Sequence, residues 1–88
     1  MINDKTKIKD IYNIACQFVQ NVVQPGETFI LKDLFTGVEW NRIPKGLRIK
    51  LGAMFYTYVC EEANDVLEYV DKTPQNQKIY RKKQIGIR

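Results

Sequence analysis

Positive charge is concentrated in two stretches of this 88-residue chain, whose net charge is +4. Residues 42–50 carry four basic side chains and residues 72–88 carry six, and neither stretch contains an acidic residue. Blocks of this kind suit a polyanionic partner, because each cation that neutralises a phosphate releases condensed counterions. The alternative is a basic surface that contacts only solvent.

Residues for catalysis or metal binding are scarce. The chain contains no histidine, so it lacks the commonest general base and a common metal ligand. Its two cysteines, Cys16 and Cys60, are too few for a metal cluster, and we expect reduced, structural thiols with Cys60 the candidate for reactivity. Nothing in the pattern brings Asp65, Glu68 and Asp71 together as a metal site. We therefore expect a non-enzymatic protein without a cofactor or metal.

Three aromatic residues could complement the basic blocks, since nucleobases stack on exposed rings. Tyr56 is one candidate, although its ring could instead pack against the hairpin or a second subunit. Tyr80 is another, because strand alternation places it on one side with Lys78 and Lys82. Trp40 is the third, and a place in or over the core is the alternative for it.

The candidate nucleic-acid contacts combine the two basic blocks, two tyrosines and a polar loop. Lys45 and Arg48 are the first choices for phosphate contact, whereas Arg42 could instead form a salt bridge with Glu39 or Asp33. Polar loop side chains could bind phosphates or base edges, but they could also serve only their own turn. The full predicted set is Arg42, Lys45, Arg48, Lys50, Tyr56, Lys72, Thr73, Gln75, Asn76, Gln77, Lys78, Tyr80, Lys82 and Lys83.

A long amphipathic helix from Pro44 to Glu62 is the element that would position the first block. Pro44 suits a first helical turn because its φ is fixed and it has no amide hydrogen. Apolar residues then recur with helical spacing at Leu47, Leu51, Met54, Phe55, Tyr58 and Val59. The opposite side, called the outer face here, comprises Lys45, Ile49, Gly52, Ala53 and Tyr56. This composition is unusual for a solvated surface, so we expect a partner to cover it.

The remaining elements follow from apolar periodicity and turn signals. We predict a helix within residues 5–24, capped by Asp4 or Thr6 and stopped by Pro25 and Gly26. A short strand at residues 28–30 and a brief helical turn ending by Gly37 come next, and residues 40–43 lead into the long helix. Strands at residues 66–70 and 78–82 form a hairpin with a polar tip at residues 71–77, and residues 84–88 could be a frayed tail.

This order predicts an α+β fold of the winged helix-turn-helix class, as a single domain over residues 1–88. The short strand can pair with the hairpin, and the first helix can pack behind the long one. The basic blocks then fall on the recognition helix and the wing, the two elements that meet nucleic acid in such domains. Because we see neither a signal peptide nor a membrane-spanning run, we expect a cytoplasmic protein.

Four segments resemble a family catalogued as domain of unknown function 1413: Phe29–Phe35, Glu39–Gly46, Leu51–Phe55 and Asp71–Lys82. The resemblance covers roughly residues 28–83 and departs from the family at Asp71, where the family has glycine. It implies a winged-helix protein of staphylococcal cassette chromosome-type mobile elements that binds single-stranded DNA. Replication proteins of the same element are implied as further partners, while homo-oligomerisation is left open.

Three hypotheses about function remain at this point. Spacing alone favours a duplex-binding regulator, whereas the resemblance favours a single-strand-binding protein that serves replication or transfer. No Asn or Gln occurs between Lys45 and Glu62, which indicates weak sequence preference because such amides read base edges. A protein-interaction adaptor or inhibitor that uses the outer face is the third possibility.

Overall fold

The computed structural model describes residue 2 and residues 5–84. These residues form an α+β fold in which three α-helices and a three-stranded antiparallel sheet surround one hydrophobic core. The helices are α1 (Ile8–Asn21), α2 (Gly37–Arg42) and α3 (Lys45–Thr57). The strands are β1 (Thr28–Ile30), β2 (Leu67–Lys72) and β3 (Lys78–Lys82), with a 3₁₀ turn at Leu31–Leu34 and a π-helical turn at Tyr58–Glu62.

Helix α1 is shorter than predicted but buries the expected stripe, represented by Ile11, Ala15 and Val19. Lys7 is its N-cap residue, and the predicted cap Asp4 lies outside the described residues. The chain then turns at Gly26, whose φ of 91° favours glycine. The Gly26 amide donates to the Lys82 carbonyl at 2.6 Å, which joins this turn to β3.

Helix α2 is an element that the sequence analysis missed, since it took Gly37 as a terminator and residues 40–43 as a lead-in. The Thr36 hydroxyl accepts a hydrogen bond from the Glu39 amide at 3.1 Å and so caps a helix that begins at Gly37. Thr followed three residues later by Glu is the sequence signature of such a cap. Pro44, extended at ψ 146°, separates α2 from α3 as the N-cap residue of α3.

Helix α3 has the predicted amphipathic arrangement. Leu51, Phe55 and Val59 are buried at successive turns, while Ile49 on the opposite side is 68% exposed. The helix continues through the π-helical turn to Glu62, so the predicted C-terminal limit is confirmed. It packs against α1, which confirms the predicted position of the first helix behind the long one.

The sheet has the strand order β1-β3-β2, so the short strand pairs with the hairpin as predicted. The hairpin tip is shorter than predicted, because β2 continues through Lys72 and pairs there with Lys78. The Thr73 amide donates to the Gln77 carbonyl at 2.8 Å and closes a loop of residues 73–77. Of the predicted tail, only Gln84 lies within the described residues, where it is exposed.

The core is centred on an aromatic cluster that joins the sheet to α3. The Tyr80 ring lies 5.1 Å from the Phe55 ring and 5.7 Å from the Phe29 ring, measured between centroids. Tyr80 lies on the central strand β3, on the side of the sheet that faces α3. Its side chain is therefore buried. None of the helices in the described ranges is long and apolar enough to cross a membrane.

Candidate nucleic-acid interface

A surface groove with a volume of about 490 Å³ lies between the outer face of α3, the 3₁₀ turn and the hairpin tip. Its size falls within the ~300–1,000 Å³ common for ligand sites. Ile49, Gly52 and Ala53 line it from α3. The other lining residues are Ile30, Leu31, Lys32, Trp40, Arg48, Asn76, Gln77, Lys78 and Tyr80. Three cations therefore border a largely apolar surface.

Two cation–aromatic pairs flank the outer face of α3. The Arg48 guanidinium carbon lies 5.3 Å from the Trp40 ring centroid, and the Lys78 ammonium lies 5.2 Å from the Tyr56 ring centroid. Both distances are within the range for cation–π attraction. Arg48 and Tyr56 are eight positions apart on one helix, or about 12 Å along its axis. Positive charge and aromatic rings are thus available at both ends of the apolar face.

The first pair is fixed by contacts with the protein interior. Arg48 Nε donates a hydrogen bond to the Ile43 carbonyl at 2.9 Å, which leaves the terminal guanidinium nitrogens for other acceptors. Trp40 packs against the core and lies 5.8 Å from the Phe35 ring, yet it also lines the groove. Trp40 therefore has the predicted alternative position against the core, and its role as a base-stacking platform stays a prediction.

The second pair belongs to a more exposed aromatic surface. Tyr56 and Tyr69 are 38% and 39% exposed, and their rings meet edge to face at 6.0 Å. A side-chain hydrogen bond with Cys60 raises the pKa of the Tyr56 hydroxyl. The packing of Tyr56 against the hairpin is one of the predicted alternatives, and its remaining exposure leaves part of the ring available to a ligand.

Cys60 is a free, exposed thiol and Cys16 a free, partly buried one.

Tyr80 is a correction to the predicted set. Its side chain is only 2% exposed, and burial raises the pKa of its hydroxyl. The ring forms part of the buried wall behind the groove and cannot stack a base. The sequence alternation was assigned correctly, but the side of the sheet that carries Tyr80 faces the core.

The charged groups of several predicted phosphate-binding residues instead donate hydrogen bonds to backbone carbonyls of the protein. Lys82 Nζ donates to the carbonyls of Val19 and Val23, both at 2.9 Å, at the C-terminal end of α1. Lys83 Nζ donates to a carbonyl at 2.6 Å in the turn before β2, and Arg42 Nη1 donates to the Ile2 carbonyl at 3.2 Å. Arg42 does not form the alternative salt bridge with Glu39 or Asp33, and the one ion pair among the described residues joins Arg81 and Glu68. Lys82 and Lys83 therefore hold the fold together, contrary to their predicted role in extending the charge of the wing.

Other predicted cations extend freely from the surface. Lys45, Lys50 and Lys72 are exposed, and their ammonium groups have no partner within the described ranges. None of the three lines the groove. Lys45 lies on the outer face at the start of α3.

The polar loop divides into structural and exposed side chains. The Thr73 hydroxyl accepts a hydrogen bond from the Gln77 amide at 3.1 Å, so it serves the turn. Asn76 has a φ of 68°, a left-handed conformation that asparagine tolerates. Asn76 and Gln77 line the groove, whereas Gln75 is exposed at the tip.

Sequence reasoning missed the contribution of the 3₁₀ turn, especially Lys32. This residue lies outside both basic blocks and lines the groove only because the turn follows β1 directly and β1 pairs with β3. The available signal was the short helical segment after the strand, which carries an exposed lysine. The described residues contain no cluster of His, Cys, Asp and Glu that could hold a metal.

Together these features define a small α+β domain with a basic, aromatic-flanked groove. The family model described as Domain of unknown function (DUF1413) matches residues 19–82, and the chain belongs to this family. The resemblance noted from the sequence is therefore confirmed. No curated protein matches the chain.

A similar solved structure is that of LP1413 of SCCmec type IV, described as a nucleic acids binding protein. The TM-score is 0.72 at 18% sequence identity, and the alignment covers 98% of this chain and 99% of that chain. The two proteins therefore share a fold over nearly their whole length.

Proposed function

We propose that this protein is a non-enzymatic, single-stranded DNA-binding protein with little sequence specificity. In this proposal α2 and α3 act as a helix-turn-helix, the β2–β3 hairpin acts as a wing, and the groove between them holds the strand. The protein would serve replication or transfer of a mobile genetic element, with replication proteins as further partners.

The observation that carries the proposal is the pair of cation–aromatic contacts at the two ends of one apolar groove. Arg48 and Lys78 can neutralise phosphates, while Trp40 and Tyr56 present ring surfaces beside them. Single-strand binders combine these same components, since phosphates need cations and unpaired bases need stacking surfaces. Lys32 adds a third positive charge on the opposite rim.

The apolar composition of α3 favours single strands over duplex. A helix that reads the major groove uses polar side chains to contact base edges. Here the exposed centre of α3 presents Ile49, Gly52 and Ala53. The faces of bases in a duplex are already stacked on one another, so only an unpaired strand can cover this surface with base rings.

The structural neighbour supports the nucleic-acid part of this proposal. The neighbour is described as a nucleic acids binding protein of SCCmec type IV, and its fold spans 98% of this chain. The residues of the groove are those of this chain, so the proposal depends on their geometry and takes from the neighbour only the class of ligand.

Fluorescence anisotropy with a labelled mixed-sequence single strand and with its duplex tests the proposal. We expect tighter binding to the single strand, similar affinity for unrelated sequences, and steep weakening between about 50 and 200 mM salt. Equal or tighter duplex binding would replace the proposal with the winged-helix regulator, for which the helix order is the supporting observation. Failure to bind either nucleic acid would favour the protein-interaction adaptor.

Two substitutions connect this binding to the groove. Lys78→Met should weaken single-strand binding and reduce the slope of log affinity against log salt by about 0.7, the value for one phosphate contact. Tyr56→Ala should weaken binding by removing a ring. Lys9→Met is the matched control, because Lys9 is an exposed lysine of α1 that does not line the groove. Equal effects of Lys78→Met and Lys9→Met would show that only net charge matters.

A further inference from the structure

We infer that the part of the groove over Gly52 is a subsite for one unstacked nucleobase, which lies directly against the backbone of α3. The inference rests on the proposed function and adds to it the position at which a base, as distinct from a phosphate, is held. The subsite lies between the Arg48–Trp40 pair and the Lys78–Tyr56 pair.

Nothing in the described part of the fold requires glycine at position 52. Gly52 lies inside α3 with an ordinary helical φ, and a Cβ added there would meet no described atom within 4 Å apart from its chain neighbours and the backbone of its own helix. Glycine within a helix is less stable than alanine, because it loses more backbone freedom on folding. Gly26 shows the contrast, since its positive φ and the nearby Gln84 side chain both disfavour a Cβ.

The surface around Gly52 is apolar and exposed. Ile49 and Ala53 lie beside it on the same face of α3, and all three residues line the groove. The 68% exposure of the Ile49 side chain leaves an apolar surface without a covering group among the described residues. A flat aromatic base can cover such a surface, and the missing Cβ lets it approach the helix backbone closely.

The positive charges beside the groove match the phosphates of a nucleotide chain. Cations lie at both ends of the apolar surface, Arg48 over the Trp40 ring and Lys78 over the Tyr56 ring. A nucleotide chain presents this arrangement of groups, with a planar apolar ring between flanking phosphates. An apolar protein segment would cover Ile49 equally well but would leave Arg48 and Lys78 without anionic partners. The charge pattern therefore favours a nucleic acid strand as the occupant.

The test compares two ligands, a short oligodeoxythymidylate and an abasic strand of the same length with the same phosphates. Wild-type protein should bind the base-containing strand about fivefold or more tightly, as expected when at least one base stacks. Gly52→Leu should fill the subsite and lower affinity for the base-containing strand by a similar factor, with little effect on the abasic strand. Gly52→Ala should show the same pattern more weakly.

Gly46→Ala is the matched control, since Gly46 lies in the same helix, has no atom near an added Cβ and does not line the groove. It should leave both affinities unchanged. Thermal unfolding keeps the test interpretable: Gly52→Ala should raise Tm by about 2–8 °C while weakening binding, so the loss cannot be assigned to misfolding.

Three outcomes overturn the inference, and they can be told apart. If Gly52→Leu weakens binding to both strands by the same factor, no base lies at this position. If both Gly52 variants bind like wild type while Lys78→Met binds poorly, the proposed function stands and the subsite does not. If wild-type protein binds no single strand, the proposed function and the subsite are both wrong.

Discussion

Replacing Lys82 with methionine tests whether the basic residues of β3 serve the fold or the ligand. Lys82 belongs to the C-terminal basic block, but its ammonium donates to the carbonyls of Val19 and Val23 at 2.9 Å and to that of Gln20 at 3.5 Å. The α-helix leaves its last carbonyls without partners inside the helix. The ammonium therefore links β3 to the end of α1.

The expected loss of stability follows from these contacts. Hydrogen bonds to a charged group contribute about 1.5–3 kcal/mol, and a cation at a helix C-terminus contributes about 0.3–1 kcal/mol. Methionine keeps most of the apolar stem, and the carbonyls that it exposes can bind water, which offsets part of the loss. We expect Lys82→Met to lower the free energy of unfolding by about 2 kcal/mol, or Tm by about 8–16 °C.

Thermal unfolding and the salt dependence of single-strand binding are measured on the same variants. Lys82→Met should unfold at a lower temperature and, below its Tm, bind with the wild-type salt slope. Lys72→Met is the control, because Lys72 is an exposed lysine of β2 whose ammonium has no partner among the described residues. Its stability should change by less than about 0.5 kcal/mol.

One result would refute this reasoning. If Lys82→Met keeps the wild-type Tm while its affinity and salt slope both fall, Lys82 contacts phosphate and the helix-end contacts contribute little. The original prediction from the basic block would then be correct for this residue.

Three further predictions concern single side chains. Tyr80→Ala should destabilise the protein by about 3–5 kcal/mol in denaturant unfolding, because it empties the centre of the core, whereas an effect below about 1 kcal/mol would contradict that position. Thr36→Ala should cost about 1 kcal/mol through loss of the α2 cap, and an unchanged denaturation midpoint would show that the cap contributes nothing. Burial raises the pKa of Tyr12 to about 12, from an ordinary value of 10.0. The folded state therefore keeps this proton where the unfolded chain loses it, so the contribution of Tyr12 to stability is complete below pH 10 and is lost between pH 10 and 12. Tyr12→Phe should flatten that decline, and an equally steep decline in the variant would assign it to other groups.

Much of the fold could be predicted because burial imposes a period on the sequence. The apolar spacing of α3 gave the buried residues Leu51, Phe55 and Val59, and the extents of β1 and β3 matched the predicted strands. Helix α2 was missed because its six residues are too few for a periodic pattern, although the spacing of Thr36 and Glu39 was a usable signal.

The candidate site was less predictable, because a basic side chain has the same sequence signal whatever its partner. Lys78 and Lys82 lie on one strand four positions apart, yet one ammonium lies over Tyr56 and the other binds carbonyls of α1. Only the position of the C-terminal end of α1 within reach of the Lys82 ammonium separates these roles. Lys32 shows the converse, since strand pairing brings it to the groove from outside both basic blocks.

The sequence by itself determined the α+β class of the fold, the outer face of α3 and the concentration of positive charge, because periodicity and composition are local properties of the chain. The tertiary structure decided which side of the sheet faces the core, and so buried Tyr80. It also decided which cations remain available to a ligand, because that depends on carbonyls and rings contributed by segments distant in sequence.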